Sequence, residues 1–201
     1  MRYPFLIPVA LAIVALPLPA LAHPHIFAEA RLEVIAGDDG TISELRNVWR
    51  FDEVFSSSVL LDFDKNTDLK LDEQELAELG ETMRTSLEDF HYFTTITADS
   101  KPVAVTKPDV IHVAYKDQQI LVFFSVKPVA PMHLKGKMTF GIYDPSMYTA
   151  IDFPTDGDLV VEGARMSACT ARGLAPHLTK RFTVSPDSTA AGCVASTRRT
   201  A

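Results

Sequence analysis

Between Phe27 and Val34 the chain alternates strictly. Ala28, Ala30, Leu32 and Val34 interleave with Glu29, Arg31 and Glu33. A period of two places every second side chain on one face, which is the signature of a half-buried strand and excludes a helix. The turn-forming Gly37-Asp38-Asp39-Gly40 follows, and Leu45 to Phe51 alternates again with Trp49 and Phe51 on one face. Together they predict a hairpin. Further short segments of this kind lie beyond residue 90, at Tyr92–Ala98, Pro102–Thr106, Val110–Tyr115, Ile120–Val126, Lys137–Tyr143 and Thr149–Phe153. Several are joined by polar turns such as Asp99-Ser100-Lys101, Lys116-Asp117-Gln118 and Asp144-Pro145-Ser146. Short strands at this spacing predict an antiparallel β-sandwich. No internal repeat is visible.

The period changes once. From Asp52 to Phe63, Phe55, Val59 and Phe63 recur every four residues. From Glu73 to Phe90, Leu76, Leu79, Met83, Leu87 and Phe90 recur at threes and fours. Both are helical stripes, and Asp72 with Glu75 three residues on predicts a capped helix start. The fold class expected is therefore α+β: an antiparallel β-sandwich with an inserted EF-hand-like helix–loop–helix at 52–90.

The inserted loop carries the first candidate site. Counted from Asp64, the residues Asp64, Asn66 and Asp68 fall at positions one, three and five of a calcium loop. Lys70 at seven offers its backbone carbonyl, Asp72 at nine can hold a water, and Glu75 at twelve can bind through both oxygens. Leu71 at eight is the apolar pin. A hard cation such as calcium wants this all-oxygen set. The misfit is Leu69 at position six, where a positive φ is needed that glycine adopts freely. Left-handed backbone costs a leucine about 1–2 kcal/mol, so calcium binding is expected to be weakened, not abolished, and Leu69→Gly is expected to tighten it. A solvated acidic turn is the plain alternative.

The chain's ends set the context. Arg2, an apolar run from Phe5 to Leu18 and Ala20-Leu21-Ala22 read as an export signal over residues 1–22, cleaved before His23. That implies a periplasmic protein with no membrane span after cleavage. The remaining chain reads as one β-rich domain over 23–185 and a flexible tail over 186–201 rich in Ser, Thr and Ala. A formal charge of −7 and no Lys/Arg run argue against nucleic acid. Cys169 and Cys193 can pair in an oxidising compartment; free thiols or thiolate metal ligands are the alternatives.

Cleavage would expose the second candidate site, His23-Pro24-His25. A terminal histidine chelates through its amine and imidazole, and His25 adds another imidazole. Such nitrogens suit nickel, cobalt, zinc or copper. A third ligand would come from among His91, His112, His133, His177, Asp52 and Asp144. No Gly-x-Ser-x-Gly elbow, His-Glu-x-x-His or phosphate-binding glycine loop is present, so no enzyme is expected. The one enzymatic alternative is oxidative copper chemistry at a brace built on His23.

The segments AHPHIF, WRFDEVFS, the acidic loop, FHYFTTITADSKPV and IYDPSMYTAIDF, in this order, resemble a bacterial periplasmic family, the domain-of-unknown-function family numbered 1007. The resemblance covers roughly Ala22 to Cys169. It implies an accessory for divalent transition-metal transport, with an inner-membrane nickel/cobalt permease as partner and no established activity. By the resemblance, the His-Pro-His motif falls on His23, Pro24 and His25, the acidic loop on Asp64, Asn66, Asp68, Asp72 and Glu75, and a Tyr-Asp-Pro turn on Tyr143, Asp144 and Pro145. Leu69 departs from the glycine usual in that family. A calcium-stabilised module that binds protein or carbohydrate is the competing expectation.

Overall fold

A computed structural model describes residues 24–135 and 138–163, together with the backbone of three strands beyond them. The predicted hairpin forms from β1 (Ile26–Ala36) and β2 (Ile42–Phe51), paired antiparallel from Ala28↔Phe51 to Ala36↔Ile42. Two helices follow, α1 (Glu53–Phe63) and α2 (Glu73–Ser86). Then come β3 (Thr94–Ala98), β4 (Lys101–Val103), β5 (His112–Lys116), β6 (Gln119–Val126), β7 (Met138–Ile142), β8 (Thr149–Asp152) and β9 (Leu159–Glu162). The backbone strands are β10 (Gly173–Leu174), β11 (Arg181–Pro186) and β12 (Cys193–Ser196). β12 lies inside the segment read from sequence as a loose tail.

The strands make two sheets. One runs β5-β6-β2-β1-β8, with β9 also on β1; the other runs β10-β11-β7-β3-β4, with β12 on β11. The pairing is antiparallel throughout except at β1, which takes both β8 and β9 in parallel along its outer edge. The expectation of a purely antiparallel architecture is corrected there. Alternation shows which side chains point inward, not which strand lies beside them.

Both sheets bury their inner faces in one core. Leu32, Leu45, Trp49 and Val122 from the first meet Ile96, Met138, Phe140 and Ile142 from the second, all at 2% exposure or less. Side chains of this size each contribute about 1.5–3 kcal/mol when fully buried. A hydrogen bond of 3.4 Å from the Thr94 hydroxyl to Asn47 Oδ1 crosses between the sheets inside that core. The β3–β4 and β5–β6 hairpins turn on left-handed pairs, Asp99-Ser100 and Asp117-Gln118. Such turns match the strands' right-handed twist.

The helices are attached by specific contacts. Asp52 caps α1, its Oδ1 accepting from the amides of Val54 and Phe55, while Oδ2 accepts from Phe27 N–H at 3.0 Å. Ser56, fully buried, accepts from the Ile120 amide at 2.9 Å and so fixes α1 to β6. α2 lies against β5 and the residues before it. At Gly80 the approach is close: a Cβ built there would sit 2.2 Å from the Ile111 carbonyl oxygen.

The helical stripe expected to reach Phe90 stops at Ser86. His91, Tyr92 and Phe93 are all left-handed, with φ of 51°, 55° and 51°. This reversal puts Tyr92 and Phe93 into the core, where Phe93 stacks on Trp49 at 5.9 Å.

Candidate metal sites

Asp64, Asn66, Asp68 and Asp72 lie between α1 and α2, as the helical stripes on either side predict, Glu75 stands in the first turn of α2, and the backbone turns left-handed at position six. Leu69 has φ of 61° and Thr67 of 59°. The loop organises itself around its own amides. Asp64 accepts from Asp68 N–H (3.2 Å) and Leu69 N–H (2.8 Å). Asn66 Oδ1 accepts from Asp68 N–H, and Asp68 Oδ1 from Lys70 N–H, both at 2.9 Å. Asp72 and Glu75 form the capping box: Asp72 Oδ1 takes the amides of Gln74 and Glu75, and Glu75 Oε2 takes that of Asp72 at 2.9 Å. Glu75 Oε1 takes the Lys65 amide at 2.8 Å, and Glu75 is only 4% exposed. The side chain at the twelfth position therefore ties the start of the loop to its end.

The donor types fit calcium, and so does the left-handed turn at position six. Each carboxylate oxygen engaged by an amide retains a second lone pair. Asp64, Asp68, Asp72 and Glu75 each accept from at least one backbone amide. Among the described residues, no three His, Cys, Asp or Glu side chains converge tightly enough to grip a metal ion. The match to calcium thus rests on donor chemistry and backbone shape.

The second site is described from Pro24 onward; His23 lies outside the described residues, as do His177 and Cys169. His25 is exposed, its amide bonded to the Tyr148 carbonyl at 2.9 Å and its ring 5.0 Å from the Tyr148 ring. Tyr148 closes the turn that starts at the Tyr143-Asp144-Pro145 motif. Asp144, 3% exposed, holds that turn by accepting from the Ser146 amide and hydroxyl and from Thr149 N–H. Thr149 in turn pairs with Ile26. The structure therefore brings two of the six candidate third ligands to the start of β1, Asp144 under the turn and Asp52 on the Phe27 amide. It assigns both a bracing role.

The remaining candidates stand elsewhere. His133 shares a 3.0 Å hydrogen bond with the Thr41 hydroxyl at the β1–β2 turn. His112 opens β5 opposite Phe123, and His91 lines a cavity over β3 and β4. Sequence reasoning missed a hollow of about 340 Å³ beside the start of β1, lined by Phe27, Glu29, Arg50, Asp52, Gln119 and Asp152. Glu29 is paired with Arg50 there. The register alone assembles this hollow, because β1, β2, β6 and β8 each contribute to it. No signal in the separate segments could have shown it.

Among the described residues, no helix is long and apolar enough to cross a membrane. No curated protein matches the chain. A family profile described as protein of unknown function (DUF1007) matches residues 8–191, nearly the whole sequence. A match over so much of the sequence shows that the chain belongs to the DUF1007 family.

Proposed function

We propose that this protein is a periplasmic metal-binding accessory for divalent transition-metal transport, built as a sandwich of the two sheets and carrying a structural calcium loop. His23 and His25 would hold nickel, cobalt or zinc. Asp64, Asn66, Asp68, the Lys70 carbonyl, Asp72 and Glu75 would hold calcium. The observation that carries the reading is the placement of His25. It is exposed, yet its backbone is pinned to Tyr148, just before Phe27, whose amide Asp52 grips. A histidine on a braced strand start can present its imidazole at lower ordering entropy than one on a free end. The acidic hollow beside it would favour an approaching cation electrostatically. The partner this reading names is a nickel/cobalt permease of the inner membrane.

Calorimetric titration of the processed protein, beginning at His23, tests it with nickel, cobalt, zinc, copper and calcium. The expected result is transition-metal binding at micromolar or tighter affinity that is lost in His23→Ala/His25→Ala, with calcium binding retained. Binding of calcium alone would instead favour a calcium-stapled module for protein or carbohydrate. The left-handed Leu69 supports that second reading as much as the first.

A further inference from the structure

Three side chains meet at the turn between β1 and β2. Asp39 accepts twice from Thr41, its Oδ1 from the amide at 2.8 Å and its Oδ2 from the hydroxyl at 2.7 Å. The same hydroxyl oxygen lies 3.0 Å from His133 Nδ1. The backbone around His133 is tied to this turn from both sides. The Leu134 amide donates to the Gly40 carbonyl at 2.8 Å, and the Ile42 amide donates to the Met132 carbonyl at 2.9 Å.

Counting protons fixes the state of the imidazole. The two bonds from Thr41 hold Asp39 below the usual carboxylate range, so it is ionised at neutral pH. An ionised carboxylate only accepts, and a threonine hydroxyl has one proton to give. Two oxygens 2.7 Å apart share a proton, so the Thr41 proton lies toward Asp39. Thr41 then offers His133 only lone pairs, and Nδ1 must carry the hydrogen and donate. In the neutral ring this leaves Nε2 with a bare lone pair. His133 is exposed, and among the described residues no hydrogen bond engages Nε2. A free neutral imidazole favours the opposite tautomer, so the turn imposes this one. Histidines that ligate metals are set in the same way: the far nitrogen donates to an oxygen, which fixes the tautomer and raises the basicity of the ligating nitrogen.

We propose that His133 is an attachment point for a borderline divalent cation such as zinc, nickel or cobalt. Nε2 is its one protein ligand, water fills the remaining positions, and Thr41 and Asp39 orient the ring. A single protein ligand makes the binding weak and readily reversible. The site uses neither His23 nor His25, so it stands apart from the metal reading above.

Ring nitrogen-15 spectra of the His23→Ala/His25→Ala protein test it, recorded at about pH 8, where an imidazole of ordinary pKa is neutral. The expected result is a protonated Nδ1 and an unprotonated Nε2 on His133, with Nε2 shifting saturably as zinc is added. Thr41→Val keeps the side-chain shape but removes the hydroxyl. It should mix the tautomers and weaken zinc binding at His133 about ten-fold, the lower end of what loss of an orienting partner costs. Should that variant not fold, Asp39→Ala serves instead. It frees the Thr41 proton to turn toward Nδ1, so the ring should move to the opposite tautomer. A His133 protonated at Nε2 in the parent, a ring that ignores zinc, or tautomer and zinc affinity unchanged in these variants would overturn the proposal. The calorimetric loss on His23→Ala/His25→Ala reports the other reading, so either can fail alone.

Discussion

Gly80→Ala is a sharp test of how α2 is seated. In an unobstructed helix interior, replacing glycine by alanine stabilises by about 1 kcal/mol. Here the added methyl carbon would lie 2.2 Å from the Ile111 carbonyl oxygen and 3.4 Å from its carbon. Close C–H···O contacts settle near 3.3–3.6 Å, so α2 or the Ile111 backbone must retreat by about 1 Å. The obstacle is a main-chain carbonyl on a residue 3% exposed, which cannot swing aside as a side-chain tip would. Overpacking of this kind costs about 1–3 kcal/mol, and a clash this deep belongs in the upper part of that range. After subtracting the helix-propensity gain, a net loss of about 1–2 kcal/mol remains. For a chain of this size that lowers the melting temperature by about 2–8 °C. Thermal unfolding followed by circular dichroism, with excess chelator to remove any cation contribution, measures it. Trp49 fluorescence should change too, because Met83 and Leu87 of the displaced segment line the same pocket as Trp49. A variant that melts higher than the parent would refute the packing, since the helical gain would then act unopposed.

Ser56→Ala strips the buried acceptor from the Ile120 amide. A loss of about 1–3 kcal/mol in urea unfolding is expected, and a loss under about 0.5 kcal/mol would mean the amide finds another partner. Leu69→Gly relieves a left-handed leucine worth about 1–2 kcal/mol and returns about 0.4–1 kcal/mol through the unfolded chain. A gain of up to about 1.5 kcal/mol in chelator should appear, and a lower melting temperature would contradict it. Asp39 is held below the usual carboxylate range, first by the Thr41 amide and then by its hydroxyl. A depressed folded value means the stabilisation is complete above the ordinary carboxylate pKa near 3.9 and is lost as pH falls through the folded value below it. Asp39→Asn should therefore lower stability at neutral pH and narrow its difference from the parent in acid, which melting curves across pH 2–7 will show.

Much of the fold is legible because burial is one-sided. The Ala28–Val34 alternation fixes β1 and its inward face, and the stripe through Leu79 and Met83 fixes α2. The Asp72–Glu75 pair marks its start to the residue. What lies beyond a strand's own faces is not encoded locally. Nothing in Ile26–Ala36 says that its outer edge takes two parallel partners. The left-handed run at His91, Tyr92 and Phe93 is equally hidden, because aromatic residues rarely adopt positive φ and Phe90 continues the helical stripe up to that point. At the acidic loop, spacing anticipates the left-handed turn at Leu69. The direction of each carboxylate depends on which amides the folded loop offers, and Glu75 illustrates this by bridging the amides of Lys65 and Asp72.

The order in which the first sheet can be completed follows from its register. β1 and β2 are neighbours in sequence and can pair as soon as both have left the ribosome. Among the described residues, the other edge of β1 pairs with Thr149–Asp152 and Leu159–Glu162, far along the chain from β1. Closing so long a loop is slow, and contacts of this kind dominate folding rates. The growing chain thus carries a formed hairpin with one row of unpaired backbone groups throughout most of synthesis. An open edge of that kind is a template for any strand nearby. Truncation before Thr149 would make the condition permanent, so such fragments should self-associate.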